Sequence, residues 1–418
     1  MPAGRRTLPS MSRPERIIVA LLVASIFVNY IDRANLSIAA PVLENQLRLS
    51  PLQVGSLLSA FFWTYAFLQL FGVAGWVVDH FPVGLVFAWG YFSWCAATIA
   101  TGCMSGFIAL YAIRLLLGVG ECITYPCYSR IFAEFPEHHR GRANALIDAG
   151  TKVGPAFGTF IGGFLLIHFG WRMMFIVLGA VAMVWLLPWI KLMPHSRREV
   201  SAEPLPPTSE LLRVRSAWGT FLGQFCGNYF YYFLLTWLPI YFVRERNLSL
   251  GAMTRLTSAI FFGIACATLT AGWIADHLIG RGLSPTQVRR SIAVGGLLVA
   301  SSLGAFAFID NLTGSVVLVM AASLGHGAFA ANHWAIGQTL AGPSMAGRWT
   351  SIQNGVANLA GIIAPSVAGI ILHARGSLRL AFVLAGAVSL AGALIWYFMV
   401  PRVEPVQWQK RVPAGVIR

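Results

Sequence analysis

Charged side chains are scarce in this sequence of 418 residues, where Asp, Glu, Lys and Arg together make up 11%, against roughly 25% in an ordinary soluble domain. Hydrophobic residues account for 57%, and the mean hydropathy is +0.68. This composition excludes a disordered chain, a coiled coil and a collagen-like chain, and it argues against a soluble globular protein. It is typical of many apolar helices that cross a lipid bilayer.

The motifs that mark common catalytic and phosphate-binding sites are missing as well. The sequence contains no His-Glu-x-x-His, no Gly-x-Ser-x-Gly and no Gly-x-x-x-x-Gly-Lys. Its six cysteines all fall in apolar stretches, where cysteine is usually a small buried hydrophobic residue rather than a metal ligand or half of a disulfide. We therefore expect no enzyme, no catalytic residue, no cofactor and no metal site.

Apolar runs of about 20 residues, the length that spans a bilayer, recur along the whole chain. They begin near Ile17, Leu52, Gly84, Gly106, Ala143, Met173, Trp218, Leu256, Ser291, Gly314, Thr350 and Leu378. We therefore predict an all-α integral membrane protein with twelve transmembrane helices.

The formal net charge of +15 arises from 30 Lys and Arg residues against 15 Asp and Glu residues. With both termini in the cytoplasm, twenty of the cations fall in cytoplasmic tails and loops, and seven fall in loops on the opposite side. This asymmetry matches the positive-inside rule, so the basic balance indicates membrane topology rather than nucleic-acid binding. We predict cytoplasmic termini, a lipid bilayer around the protein and no nucleic-acid partner.

Two short strings occur twice at similar spacings. Residues 75–80 read Gly-Trp-Val-Val-Asp-His, and residues 272–277, which lie 197 positions later, read Gly-Trp-Ile-Ala-Asp-His. A weaker echo relates residues 141–143 to residues 347–349, which lie 206 positions later. Such repeats indicate a duplicated unit, here two six-helix halves. The predicted segments are a cytoplasmic tail (1–16), a six-helix bundle (17–193), a cytoplasmic linker (194–216), a second six-helix bundle (217–401) and a cytoplasmic tail (402–418).

Ionisable residues interrupt the predicted spans of the first half. They are Asp32, Arg33, Arg114, Glu121, Asp148 and Lys152. Each costs about 2.5–3.5 kcal/mol at a helix centre on insertion scales, so we expect these side chains to face a cavity and to have partners. Their charges sum to zero, so an entering anion leaves one uncompensated charge unless a carboxylate takes up a proton. The pattern favours coupled transport of an anion and a proton, and ion pairs that only fix helix register are the alternative.

Polar uncharged side chains take the place of charges in the spans of the second half. They include Gln224, Asn228, Asn332, His333, Trp334, Asn354 and Asn358. Amides both donate and accept hydrogen bonds, which suits the hydroxyl groups of a polyol chain, while hydrogen bonds between helices are the alternative. We predict that five of these side chains bind substrate, namely Gln224, Asn228, Trp334, Asn354 and Asn358.

The stretch Asn29-Tyr30-Ile31-Asp32-Arg33-Ala34-Asn35, together with Arg114 and Gly118-Val119-Gly120-Glu121, resembles the anion:cation symporter branch of the major facilitator superfamily. The loops that contain Asp79 and Asp276 resemble the Gly-x-x-x-Asp loops of the superfamily. The resemblance implies two pseudo-symmetric six-helix bundles that rock about a site near the bilayer midplane. It also implies substrates such as sugar acids, phosphate or sialic acid. One difference is that residues 80–84 read His-Phe-Pro-Val-Gly, where the superfamily usually has basic residues and a glycine.

The resemblance also implies roles for single residues. Arg33 would hold the substrate carboxylate, because a planar guanidinium binds carboxylates in a bidentate manner, and Tyr30 would hydrogen-bond the substrate. Asp32 and Glu121 would carry the proton, and Arg114 would release each of them in turn.

Four further acidic or basic residues complete the predicted site. Asp148 joins the coupling set, and Lys152 is either neutralised by Asp148 or serves as a second cation for a dicarboxylate such as an aldarate. Asp79 and Asp276 are the predicted gating residues.

The sequence therefore predicts a secondary transporter that imports an organic anion together with protons. The expected substrate is a sugar acid, such as an aldonate, a uronate or an aldarate, or a related carboxylate. We expect a monomer, and by resemblance a location in the inner (plasma) membrane. Sodium coupling stays open, and a drug or cation exporter of the same fold is the main rival, although a cation pocket is expected to keep an unpaired carboxylate.

Overall fold

The computed structural model describes residues 11–133, 135, 137–193 and 208–408. Every regular element among these residues is a helix. Most of the predicted linker and most of both predicted tails lie outside the described residues, so the predicted domain boundaries stay predictions.

The described part of the N-terminal half is built from helices joined by short connections. They are α1 (Arg13–Leu47), α2 (Pro51–Leu70), α3 (Val73–His80), α4 (Val83–Cys103), α5 (Phe107–Glu121), α6 (Thr124–Ala133), α7 (Glu137–Met183) and α8 (Leu186–Leu192).

The described part of the C-terminal half is also built from helices joined by short connections. Its helices are α9 (Thr208–Arg213), α10 (Arg215–Arg244), α11 (Leu250–Gly280), α12 (Pro285–Ser301), α13 (Leu312–Ala330), α14 (His333–Arg375) and α15 (Arg379–Met399). A 3₁₀ helix, Ser302–Phe308, continues from the end of α12.

Local sequence explains the tight reversal between α1 and α2. Arg48 adopts the left-handed conformation with φ 52°, and its N–H donates to the Glu44 carbonyl, which ends α1. Ser50 then accepts from the N–H of Gln53, and the Gln53 side chain accepts from the N–H of Ser50, which starts α2 with a capping box. The two helices therefore run antiparallel with a connection of only three residues.

Two of the long helices each consist of two helical segments. Gly170 (φ 77°) divides α7 and Gly342 (φ 65°) divides α14. Both glycines occupy a region of φ that is strained for residues with a Cβ atom. A further helix break lies between Ala330, the end of α13, and His333, the start of α14. Asn332, which the sequence predicts within a span, is the N-cap of α14 at this break.

Helices long and apolar enough to cross a bilayer dominate the described residues. Nine segments meet this description, and one of them, Ala149–Leu192, is 44 residues long and contains the break at Gly170. Helices α2 and α10 are not among the nine, although they are 20 and 30 residues long. The count of twelve spans stays a prediction.

The two halves contact each other near the end of the molecule that holds the α1–α2 connection. Glu44 at the end of α1 forms an ion pair with Arg244 at the end of α10. Gly55 of α2 lies against Gly369 of α14, since a Cβ atom built on Gly55 would lie 3.1 Å from the Gly369 Cα. Helices α7 and α11 also pack together across the halves, where Gly163 lies against the Thr254 side chain. These contacts close this end of the molecule.

Candidate functional site

A cavity lies between the two halves. Helices α1, α2, α6 and α7 supply one wall, and α10, α11, α13 and α14 supply the other. Seven of the eight predicted substrate-binding residues line this cavity, namely Tyr30, Arg33, Gln224, Asn228, Trp334, Asn354 and Asn358.

Arg33 brings a buried positive charge to the cavity wall. Its Nε and Nη2 atoms both lie 3.1 Å from Glu121 Oε2. The guanidinium also lies over three aromatic rings, with its Cζ atom 4.8 Å from the centroids of Tyr30 and Tyr65 and 5.0 Å from that of Phe61. Cation–π contacts of this kind become stronger when water is excluded. The aromatic rings and Glu121 together hold the guanidinium in one position.

Asp32 points away from Arg33, toward α4. Thr98 Oγ1 donates to Asp32 Oδ2 at 2.5 Å, and Asn35 Nδ2 donates to Asp32 Oδ1 at 3.1 Å. Asp32 is 5% exposed and is not part of the cavity lining. Neighbouring residues of a helix differ in direction by about 100°. Asp32 therefore contacts Thr98 and Asn35, while Arg33 lies in the cavity wall.

Arg114 lies behind the cavity wall. Its Cζ atom is 5.6 Å from the centroid of Phe61, the same ring that Arg33 approaches. The sequence spacing places Arg114 and Glu121 two turns apart on α5, but Glu121 takes Arg33 of α1 as its ion-pair partner. Phe61 therefore lies close to both guanidinium groups, and Glu121 connects α5 to α1.

Three predicted residues cannot be placed as side chains. Asp148 and Lys152 fall within α7, and Asp79 falls within α3, but their side chains lie outside the described residues. Thr151, the neighbour of Lys152, lines the cavity. The roles predicted for Asp79, Asp148 and Lys152 stay predictions.

Asp276, the second predicted gating residue, joins α11 to α12. Arg289 Nη2 donates to Asp276 Oδ1 at 2.9 Å, and Arg289 Nη1 donates to Asn332 Oδ1 at 3.4 Å. The Asp276 side chain is 72% exposed and is not part of the cavity lining. The two hydrogen bonds of Arg289 therefore link α12 to the end of α11 and to the N-cap of α14.

Amides on α10 face both the cavity and neighbouring helices. Gln353 Nε2 donates to Gln224 Oε1 at 2.6 Å, and Asn228 Nδ2 donates to the Ala357 carbonyl at 3.3 Å. Within the described part of the chain, Gln224 Nε2 and Asn228 Oδ1 form no hydrogen bond. In each amide, one polar atom therefore connects two helices, and the other can bind a ligand in the cavity.

The two asparagines of α14 are more fully engaged. Tyr232 donates to Asn358 Oδ1 at 2.6 Å, and Asn358 Nδ2 donates to Asn354 Oδ1 at 2.9 Å. Asn354 Nδ2 in turn donates to Gln69 Oε1 at 3.0 Å, which links α14 to α2 of the other half. The hydrogen bonds to α10 and α2 therefore favour the alternative given in the sequence analysis, in which these asparagines connect helices.

Several cavity residues were not selected from the sequence. They are Tyr65, Tyr125, Thr151, Tyr231, Tyr232 and His326. Two of them had a signal, because Tyr231 and Tyr232 follow Asn228 by three and four residues and so share its side of α10. The others are single residues in apolar runs, which look like ordinary core positions.

Comparison with known proteins agrees with this architecture. The family described as Major Facilitator Superfamily matches residues 22–365 and 256–415. A crystal structure of a bacterial homologue of the human lysosomal transporter Spinster, described as inward-facing and unoccupied, superposes with a TM-score of 0.77 at 18% identity. It covers 94% of this chain and 98% of that chain. The likeness to this structure concerns the fold.

Curated relatives cover nearly the whole chain. A probable galactarate/D-glucarate transporter of Escherichia coli K12 is 31% identical over 94% of this chain and 96% of its own length. A D-galactonate transporter of Escherichia coli CFT073 is 26% identical over 94% and 97%. An ascorbate transporter of Arabidopsis chloroplasts is 31% identical over 91% and 74%. The chain therefore belongs to the Major Facilitator Superfamily of multi-pass membrane transporters, as the sequence motifs predict.

Proposed function

We propose that this protein imports a sugar acid together with protons by alternating access. The observation that carries the proposal is Arg33, a buried guanidinium in the wall of a cavity between two halves, paired with Glu121 at 3.1 Å. The similarity to relatives named as galactarate/D-glucarate and D-galactonate transporters supports the substrate class. In this proposal twelve helices span the inner membrane and both termini are cytoplasmic.

Arg33 is the proposed anchor for the substrate carboxylate. A guanidinium stays charged in any protein environment and matches the geometry of a carboxylate with two parallel N–H donors. The rings of Tyr30, Phe61 and Tyr65 fix its orientation before substrate arrives, so little conformational entropy is lost on binding.

Competition for Arg33 is the proposed link between substrate and proton. When the substrate carboxylate takes over the guanidinium, Glu121 loses the opposite charge that stabilises its ionised form, and it becomes easier to protonate. Proton uptake by Glu121 then restores the neutrality of the site. Asp32, held by Thr98 and Asn35, is the second proposed proton carrier, and Arg114 is the proposed cation that acts on both.

The hydroxyl groups of the substrate are proposed to bind the cavity amides and the phenol of Tyr30. Gln224 Nε2 offers a donor and Asn228 Oδ1 offers an acceptor on the C-terminal half. Tyr30 and Trp334 line the same cavity. A mixture of donors and acceptors suits a polyol chain better than an apolar drug.

Alternating access is proposed to start from the closed end of the molecule. The contacts of Glu44 with Arg244 and of Gly55 with Gly369 hold the halves together there. Opening at this end requires these contacts to part while contacts form at the other end, as in transporters built from two repeats.

The test is uptake of labelled D-galactonate and galactarate into proteoliposomes, with and without an inward proton gradient. We expect accumulation only with the gradient, and loss of accumulation in Arg33→Ala. Arg375→Ala removes an exposed arginine at the end of α14 and serves as the matched control, which we expect to transport normally.

Other outcomes would name a different function. Accumulation driven by a sodium gradient in place of the proton gradient would replace proton coupling by sodium coupling. Transport of organic cations, with no transport of either acid, would favour an exporter and would remove the role proposed for Arg33.

A further inference from the structure

The wall that the C-terminal half contributes to the cavity carries two imidazoles, His326 of α13 and His333 at the start of α14. Both residues are 4% exposed. Histidine nitrogens donate hydrogen bonds to carboxylates, from one nitrogen in the neutral ring and from both in the cation. The two walls of the cavity therefore both present groups that suit an anion.

Aromatic stacking fixes the plane of His326. Its ring centroid lies 5.2 Å from that of Phe230 and 5.7 Å from that of Tyr231, with interplanar angles of 20° and 16°. Neighbouring Phe329, also a cavity residue, lies 5.9 Å away at 50°. An imidazole held by its faces exposes its nitrogen atoms only at the ring edge, so it can interact only with a ligand that lies in its plane.

Tyr231 adds a second observation at the same place. Its side chain lines the cavity, and its hydroxyl is inaccessible to solvent and forms no hydrogen bond with any described residue. A buried phenol without a partner costs free energy, of the order of 1–3 kcal/mol, and tyrosine hydroxyls are usually bonded when buried. A ligand acceptor beside His326 would satisfy this hydroxyl.

The charges of the cavity distinguish acids with one carboxylate from acids with two. Among the described lining residues Arg33 is the permanent cation, and none is a carboxylate. Arg33 balances one negative charge of a bound acid, since Glu121 behind it can be neutralised by a proton. No second permanent cation lies among the described lining residues, so hydrogen bonds from the opposite wall would lower the cost of burying a second carboxylate there.

We propose that His326 and Tyr231 form a subsite for the distal carboxylate of an aldarate, a sugar acid with a carboxylate at each end, while Arg33 holds the proximal one. This inference rests on the proposed function and names the substrate class for the same cavity. His326 and Tyr231 are then the residues that set the preference for aldarates over aldonates.

The experiment measures the half-saturating concentrations of galactarate and D-galactonate in proteoliposomes for three variants. His326→Phe keeps a flat ring against Phe230 and Tyr231 but removes the N–H donor, and Tyr231→Phe removes only the hydroxyl. Each is expected to raise the value for galactarate about tenfold and to leave the value for D-galactonate nearly unchanged. His373→Phe, an exposed position at the end of α14, is the matched control.

The outcomes separate this inference from the proposed function. If the unmodified protein transports D-galactonate but does not bind galactarate, or if the variants shift both acids equally or neither, the aldarate subsite is wrong and anion transport stands. If the unmodified protein transports neither acid, the proposed function fails and the subsite with it. Tyr231→Phe retains its value as a test if His326→Phe does not fold.

Discussion

At the scale of single residues, the buried pair of Arg33 and Glu121 fits the proposed function better than a role in stability alone. Burying two charges costs desolvation energy that their attraction repays only in part, and apolar pairs of similar size are often as stable. Here Arg33 is also surrounded by the rings of Tyr30, Phe61 and Tyr65. A cation held by rings on its faces can exchange one carboxylate partner for another without moving far.

Replacing Glu121 by Gln separates binding from coupling. Gln is neutral, like the protonated carboxyl, and keeps an oxygen for Arg33, so substrate exchange without net proton movement is expected to survive. Accumulation driven by a proton gradient is expected to fall to the level reached at equilibrium. Counterflow and gradient-driven uptake in the same proteoliposomes measure the two activities.

Glu404→Gln, which changes an exposed carboxylate after α15, is the control for Glu121→Gln and should retain both activities. Gradient-driven accumulation by Glu121→Gln at the normal level would exclude Glu121 as a proton carrier and would leave Asp32 in that role.

At the scale of helices, α2 and α14 approach each other through glycine. A Cβ atom built on Gly55 would lie 2.9 Å from the Pro365 carbonyl oxygen and 3.1 Å from the Gly369 Cα. The indole of Trp237 donates to the same Pro365 carbonyl at 3.1 Å, so α10 holds α14 in place at the crossing. The contact is with backbone atoms, which cannot move aside as a flexible side chain can.

Gly55→Ala is therefore expected to separate α2 from α14 and to destabilise the closed end by about 1–3 kcal/mol, the usual cost of overpacking. A lower melting temperature of the purified protein in detergent measures this effect. Gly295→Ala in α12 is the matched control, because nothing lies within 4 Å of a Cβ atom built there. This control is expected to be neutral or stabilising by about 0.5–1 kcal/mol, and equal melting temperatures for the two variants would contradict the tight crossing.

At the scale of the whole molecule, the two halves meet through an ion pair between residues 200 positions apart. Glu44 and Arg244 are 16% and 37% exposed at their side chains. Among the described side chains no other ion pair joins the halves. Because the pair joins the two halves, separating them at this end would break it, so the pair is expected to favour the closed conformation over one that opens there.

Loss of the ion pair is expected to shift the conformational equilibrium toward opening at this end. Exposed pairs contribute about 0.2–1 kcal/mol, so Glu44→Gln or Arg244→Gln should raise the open population by up to about fivefold. The double variant Glu44→Arg with Arg244→Glu, which exchanges the two charges, should return the open population to that of the unmodified protein. Distance distributions between spin labels at Arg48 and Arg375, in a variant without native cysteines, measure the populations, and an exchange variant that fails to restore them would show that the pair is not the cause.

The sequence by itself determined the class of molecule and the chemistry available to it. Apolar runs and the bias of Lys and Arg are properties that a bilayer imposes on the chain. The repeat of the loops at residues 75–80 and 272–277 indicates a duplicated unit, and all three features can be recognised without a structure. The motif around Asp32 and Arg33 indicated the family, and that prediction is confirmed. A charged residue inside a predicted span can also be recognised from the sequence as a candidate functional residue, because burying a charge in a bilayer is costly.

The tertiary structure decided which groups meet. Glu121 is 88 residues from Arg33 and pairs with it rather than with Arg114 on its own helix, and Asp32 finds Thr98 on α4. Residue spacing gives the side of one helix on which a residue lies, but the rotation of that helix against its neighbours depends on the packing of many side chains. For the same reason, His326 and Tyr231 gave no signal as a pair until α10 and α13 were packed together around one cavity.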